Sequence, residues 1–292
     1  MSLTMQQGIS NAQKILENLS VDPMPQEFFE LQGEMFSASP NMVKIGDIIG
    51  RHPKLLGQFL GSVNQRLKRP QDDLILDPHA AVNLLGLKEI EQLFLLSYLS
   101  SSVPKTHFDQ ELINRSKRAS IAAAELSYWV NDIGYAEANL VSFLQDIGAI
   151  YMARAYGSEY LGACNQTQLN FPFSGYQKEM EKYQTAHTYL GSLIVHRWQL
   201  GSLLAKSVLL HHSKDLQSLQ KYDIRVAHMV AMIQVANGLV QLNYYQEEET
   251  EELRESIDRA AQFLELPENA IKAAISVLEK WGDSCCNHGA SH

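Results

Sequence analysis

Cysteine is scarce in this 292-residue chain, which carries only Cys164, Cys285 and Cys286. An odd set of three lacks the paired spacing of a disulfide framework or a zinc knuckle, and it fits a reducing compartment. No apolar run approaches the ~20 residues that span a bilayer. The opening MSLTMQQGISNAQK also lacks the basic stretch and following apolar run of a secretory signal. The expectation is a soluble, cytoplasmic protein with no membrane partner. Positive charge is in deficit: 24 Lys and Arg stand against 33 Asp and Glu, a formal net charge of -9. That balance makes nucleic acid a poor partner. The densest basic group, Arg66, Lys68 and Arg69, is too short to follow a duplex and reads as a solvated turn. Strict apolar–polar alternation long enough to specify strands is missing as well.

What is present is 45% hydrophobic residues, enough for a substantial core, spaced at helical intervals almost throughout. The expected fold class is all-α. Pro23 and Pro25 interrupt a first helical pattern over Ile9–Leu19, and a new helix starts near Pro25. In MVKIGDIIGRHPKLLGQFLGSVNQ, Gly50 closes one short helix and Pro53 suits the first turn of the next. Pro78 opens a further helix, Gly86 breaks it, and another starts near Lys88. The stretch SSSVPKTHFD, Ser100 to Asp109, marks the first internal boundary.

Beyond it, ELINRSKRASIAAAELSYWV reads as a long helix with small residues on one side, and SFLQDIGAIYMARAY as one buried helix. Asn165 to Gln184 reads as a polar and aromatic loop around Pro172 and Gly175. Helical spacing returns in TAHTYLGSLIVHRWQLG, SLLAKSVLLHHSKD and YDIRVAHMVAMIQVANGLVQL, and again around Ile271–Leu278. The acidic run from Glu247 to Leu253 suits the start of a solvated helix better than a coordination cage. SCCNHGASH reads as a fraying end.

The chemistry concentrates in a few residues. On a continuous helix, Phe143, Leu144, Ile147, Ile150 and Tyr151 form an apolar arc with Asp146 on its flank, and Gln145 points away. A carboxylate so placed is partly buried and needs hydrogen bonds, a cation or a proton. His187 shares a face with Leu190, Ile194 and Trp198, whereas His196 projects roughly opposite; His211 lies near the stripe of Leu204 and Val208, with His212 one step round. Asp146, His187, His211 and His212 can together offer oxygen and nitrogen ligands to a divalent transition metal, although no short zinc motif is present. The alternative is structural: Asp146 caps a helix, and the imidazoles are core-edge groups bonded to carbonyls.

HPKLLGQFLGSVNQ (His52 to Gln65) and the Leu-Gly-Leu turn of AVNLLGLKEIEQLFL (Ala81 to Leu95), followed by LQDIG, TAHTYLG and LLHHSKD, resemble the HDOD family, the HD-related output domain of bacterial signalling proteins. The resemblance implies a multihelical fold with an N-terminal helical part over 15–105 and a degenerate HD-type part over 106–213. Residues 1–14 would be an extension, 214–280 C-terminal helices completing the core, and 281–292 a flexible tail. In active HD phosphohydrolases, histidines, a His-Asp pair and a final aspartate bind metal. By the same resemblance, Arg115 stands at the first histidine, Gln145 and Asp146 at the His-Asp pair, His187 and His211 or His212 at later histidines, and Asn237 at the final aspartate. An arginine is no ordinary ligand and can pair with Asp146 instead, while two neutral amides weaken the rest of the site.

The resemblance therefore implies a non-catalytic signalling or interaction module in which no residue is assigned a catalytic role. It would take a signalling-protein partner or a small-molecule ligand, with grooves between the halves as docking places and homo-oligomers left open. The alternative is a divergent metal-dependent phosphohydrolase acting on a phosphoester or cyclic dinucleotide.

Overall fold

The computed structural model describes residues 4–163, 170–244 and 249–282. Cys164, Cys285, Cys286, the first residues of the acidic run and all but the first two residues of the expected tail lie outside the described residues. Within them the chain is all-α, with no strand, and no helix is long and apolar enough to cross a membrane. It divides into two compact units.

The smaller unit runs from Asp22 to Lys105. It holds α2 (Gln26–Met35), α3 (Met42–Gly50), α4 (Pro53–Arg66), α5 (Pro78–Leu84) and α6 (Leu87–Ser102), which follow α1 (Met5–Glu17) in the chain. Their boundaries have local causes. Asn41 and Asp77 accept from backbone amides at the starts of α3 and α5, and Pro53 and Pro78 occupy first-turn positions where no amide is needed. Phe28, Leu31, Ile45, Ile49, Phe59, Ile90 and Phe94 form the core. Asn64 is buried because it serves the backbone: it accepts from the Ile75 amide at 2.8 Å and donates to the Leu60 and Ile75 carbonyls, each at 2.9 Å.

Among the described residues, the larger unit joins those before Asp22 to residues 106–282. It comprises α1 (Met5–Glu17), α7 (His107–Leu126), α8 (Tyr135–Leu144), α9 (Ile147–Tyr156), α10 (Ser158–Ala163), α11 (Ser174–Tyr183), α12 (His187–Arg197), α13 (Ser202–Leu210), α14 (Leu216–Tyr222), α15 (Ile224–Tyr244), α16 (Glu251–Phe263) and α17 (Glu268–Trp281). The small residues of α7, with Ala119, Ala122 and Ala123 fully buried, let α8, α15 and α17 pack closely on it. The first helix is integral to this unit: the Thr185 hydroxyl donates to the Gly8 carbonyl at 2.9 Å, Asn11 donates to the Gln184 carbonyl at 2.8 Å, and the Tyr189 ring lies against Gly8.

Two sequence expectations are corrected. Ser142–Ala153 is not one helix: α8 ends at Leu144, Gln145 and Asp146 form a turn, and α9 begins at Ile147. With the helix broken, Gln145 does not point away but is buried at 1% exposure. The break accompanies an unusually close approach of α9 to α12. A β-carbon on Gly148 would lie 1.9 Å from the His187 carbonyl oxygen and 2.5 Å from the Gly191 nitrogen, so only glycine fits. The stretch read as a loop to Gln184 is also helical from Ser174 to Tyr183.

Candidate metal centre

The Gln145–Asp146 turn places Asp146 at the N-cap position of α9, yet its side chain caps nothing. It turns to other partners. Arg115 of α7 donates to Oδ2 at 3.0 Å, while Oδ1 faces His187 Nε2 at 3.4 Å and His211 Nε2 at 3.5 Å. His187 opens α12, His211 closes α13, and the Gly148 contact brings the α9 and α12 starts together. His187 Nε2 is 3.4 Å from His211 Nε2 and 3.2 Å from His212 Nε2. One donor atom from each of Asp146, His187, His211 and His212 thus lies within 4.8 Å of all the others.

The outer nitrogens explain why these atoms face inward. The His211 Nδ1–H donates to the Val208 carbonyl at 2.8 Å, because a carbonyl can only accept. In a neutral ring Nε2 is then bare. His187 Nδ1 meets the Glu179 carboxylate at 2.7 Å, which holds a proton on Nδ1 and leaves Nε2 for the cluster. Glu179 is itself fixed by the Tyr160 hydroxyl and the His187 amide, each donating at 3.0 Å. His212 bonds to the Pro172 carbonyl and stacks on Tyr176, centroids 4.8 Å apart.

The electrostatics follow from this crowding. Burial alone would raise the Asp146 carboxyl, but the His211 hydrogen bond and the charges of Arg115, His187 and His211 hold it well below the usual carboxylate range. Burial opposes charging of His187, yet Glu179's charge and hydrogen bond, followed by Asp146, push that ring up. Burial, reinforced by His211 and His187, pushes His212 well down.

These residues fit a metal. Bare imidazole nitrogens aimed at one another and at a carboxylate need a cation or a proton between them. Four of the six donor separations, at 3.2–3.5 Å, match the edge of about 3.3–3.4 Å that ligands at 2.0–2.1 Å make around a tetrahedral zinc-like ion, and the two from His212 to Asp146 and His211 stay within 4.8 Å. Three nitrogens and one oxygen suit a divalent transition metal rather than magnesium or calcium, which prefer all-oxygen shells. Carboxylate or carbonyl support behind ligating histidines is the usual outer arrangement of such sites.

Beside the cluster lies a small cleft, part of it continuous with solvent, with Arg115, Asp146, Pro172, His211, His212 and Asn237 on its wall. Gln145 and Asn237 do not join the histidines. They bond reciprocally, Gln145 Nε2 to Asn237 Oδ1 at 2.6 Å and Asn237 Nδ2 to Gln145 Oε1 at 2.7 Å, so each amide both donates to and accepts from the other. His196 is exposed on the far face of α12. The sequence reading missed Glu179. The available signal was its place at four-residue steps between Gly175 and Tyr183, a buried stripe of α11 visible only once that stretch is read as helix.

An all-helical fold carrying an Asp/His cluster at such a turn defines a degenerate HD-type protein. More specifically, the HDOD domain model matches residues 21–214, more than half of the chain, and the chain belongs to that family. Asn237 lies beyond the matched residues. Among solved structures, the chain is similar to an HDOD domain protein with unknown function from Geobacter sulfurreducens, at 15% identity and TM-score 0.70, covering 97% of each chain. It is also similar to a protein from Shewanella amazonensis SB2B provisionally named a metal-dependent phosphohydrolase, at 16% identity and TM-score 0.65, covering 98% of this chain and 100% of that one. A third, provisionally named a signal transduction protein, comes from Marinobacter aquaeolei VT8 and shows 13% identity and TM-score 0.66, covering 97% of this chain and 66% of that one. At these identities the likeness establishes the fold. No curated protein matches the chain.

Proposed function

We propose that this protein is a non-catalytic signalling module of the cytoplasm, acting through a protein partner, whose Asp146 cluster holds one divalent transition metal. The observation that carries this reading is the division of Asp146: Arg115 takes one oxygen and the histidines face the other. A guanidinium on Oδ2 places fixed positive charge where a second cation would otherwise sit. The reciprocal Gln145–Asn237 pair puts two neutral amides, bonded to each other, where ionic ligands would stand. In the ion's place, Asp146 and the imidazoles would hold it, and the chemistry it supplies is Lewis acidity. The chain's own residues position the ligands.

A second reading, a divergent metal-dependent phosphohydrolase, draws on one specific observation: the cluster borders an open cleft that also presents Arg115. Zinc- or manganese-loaded full-length protein, assayed on an activated phosphodiester and on cyclic dinucleotides, decides between them. The proposed module shows no turnover above an Asp146→Ala control; turnover at enzymatic rates that Asp146→Ala abolishes establishes the hydrolase.

A further inference from the structure

The cleft has a second wall, away from the histidines. It is a face of α15, where three- and four-residue steps bring Gln234, Asn237, Gly238 and Gln241 to one side of the helix. Asn237 is bonded to Gln145. Gln234 and Gln241, 6% and 2% exposed, differ from it: each has a buried amide oxygen with no hydrogen-bond partner among the described residues. Chemistry fixes which end of Gln234 is bare. Its Nε2 donates to the His211 and Ser213 carbonyls, each at 2.9 Å, and a carbonyl can only accept, so the atom left over is the oxygen. Gln241 turns its Nε2 to Asn170 Oδ1 at 3.0 Å, which leaves its oxygen bare as well. The His212–Pro172 hydrogen bond ties together the two segments, 211–213 and 170–172, on which these amides are anchored, so both glutamines serve one part of the cleft.

A buried acceptor without a donor is costly, so this wall is stabilised by whatever brings N–H groups to it. Arg115 on the same cleft disfavours a cationic donor, and Val240 and Leu253 add apolar lining. The free space, about 40 Å³, takes a head group of a few heavy atoms and not a whole nucleotide. We infer that the α15 wall is a binding site for a small neutral ligand with a primary carboxamide or ureido end, whose N–H groups donate to the Gln234 and Gln241 oxygens. Both residues lie beyond the 21–214 matched by the family model. The site goes beyond the reading of the Asp146 cluster and needs no ion there. A ligand in it would touch α15, the segment leaving α13 and the segment entering α11 together, which gives a signalling module a chemical input.

Three small probes test this on the full chain, followed by NMR of the glutamine side-chain amides in nitrogen-15-labelled, chelator-treated protein. Acetamide carries the N–H donors, N,N-dimethylacetamide keeps the carbonyl without them, and acetate replaces them with charge. Acetamide should shift the Gln234 and Gln241 signals saturably, with a Kd of about 1–10 mM as befits so few atoms. The other two should bind at least about tenfold more weakly, the loss expected when a buried acceptor meets no donor. Gln241→Met keeps the side-chain length, removes the acceptor and should lower acetamide affinity about three- to tenfold. An equal response to all three probes overturns the inference, and so does no saturable response to acetamide by about 100 mM, which would leave the two oxygens to water alone. Unchanged acetamide affinity in Gln241→Met overturns it as well. The comparison of probes on the wild type decides even if the variant does not fold.

Discussion

Two buried carboxylates of the larger unit each hold an arginine, and they do different things. Asp109, 1% exposed, accepts from Arg154 at 3.1 Å and from the Thr106 hydroxyl at 2.9 Å at the start of α7. The Thr106 hydroxyl in turn caps the Asp109 amide. That carboxylate is explained by local structure. Asp146 takes Arg115 at a nearly equal distance, but it sits at a helix start without capping it and turns its second oxygen to histidines. An arginine partner therefore marks neither residue as functional. The distinction lies in what the remaining oxygen faces.

Removing one member of a buried pair leaves an uncompensated charge, so Asp109→Ala should destabilise by about 3–5 kcal/mol in chemical denaturation while leaving metal affinity unchanged. A coupled loss of metal would merge the two regions into one. Gly148→Ala should cost about 3 kcal/mol, since the added carbon meets the backbone of α12 rather than a movable side chain. It should also weaken metal binding by separating Asp146 from His187. Unchanged stability would show that α9 and α12 do not approach as described. Gln145→Ala strands the Asn237 amide beside the cleft and should cost about 1 kcal/mol without altering metal affinity.

The smallest effect is with pH. Because His187 is raised, its protonated form stabilises the metal-free fold below the ordinary histidine pKa, and that contribution is lost as pH rises through the elevated value. Metal binding requires the bare nitrogen, so affinity should fall as pH drops through the same value. His212, held well below its ordinary pKa, stays neutral across this range and adds no such step. Chelator competition across the neutral range reads the slope, and a flat profile would remove His187 from the ligand set.

Much of this was legible in the sequence because periodicity reports directly on burial. The proline and glycine punctuation located the boundaries around α3 to α6, and the apolar surroundings of Asp146 and His187 located two donors. The turn at Gln145–Asp146 was not legible, because it depends on a backbone contact between Gly148 and a helix some forty residues away. Glu179 was hidden for a related reason. Its role is to support a ligand, and it lies in a polar stretch whose only helical signal is a stripe of glycine, glutamate and tyrosine. The Gln145–Asn237 pair likewise joins residues 92 positions apart whose partnership no local pattern encodes.

Equilibrium dialysis of the wild type, Asp109→Asn and Asp146→Asn against buffered zinc tests the central contrast most directly. One ion per chain in the wild type and in Asp109→Asn, with none in Asp146→Asn, is the expected result. No ion in the wild type, or equal occupancy in all three proteins, would contradict it.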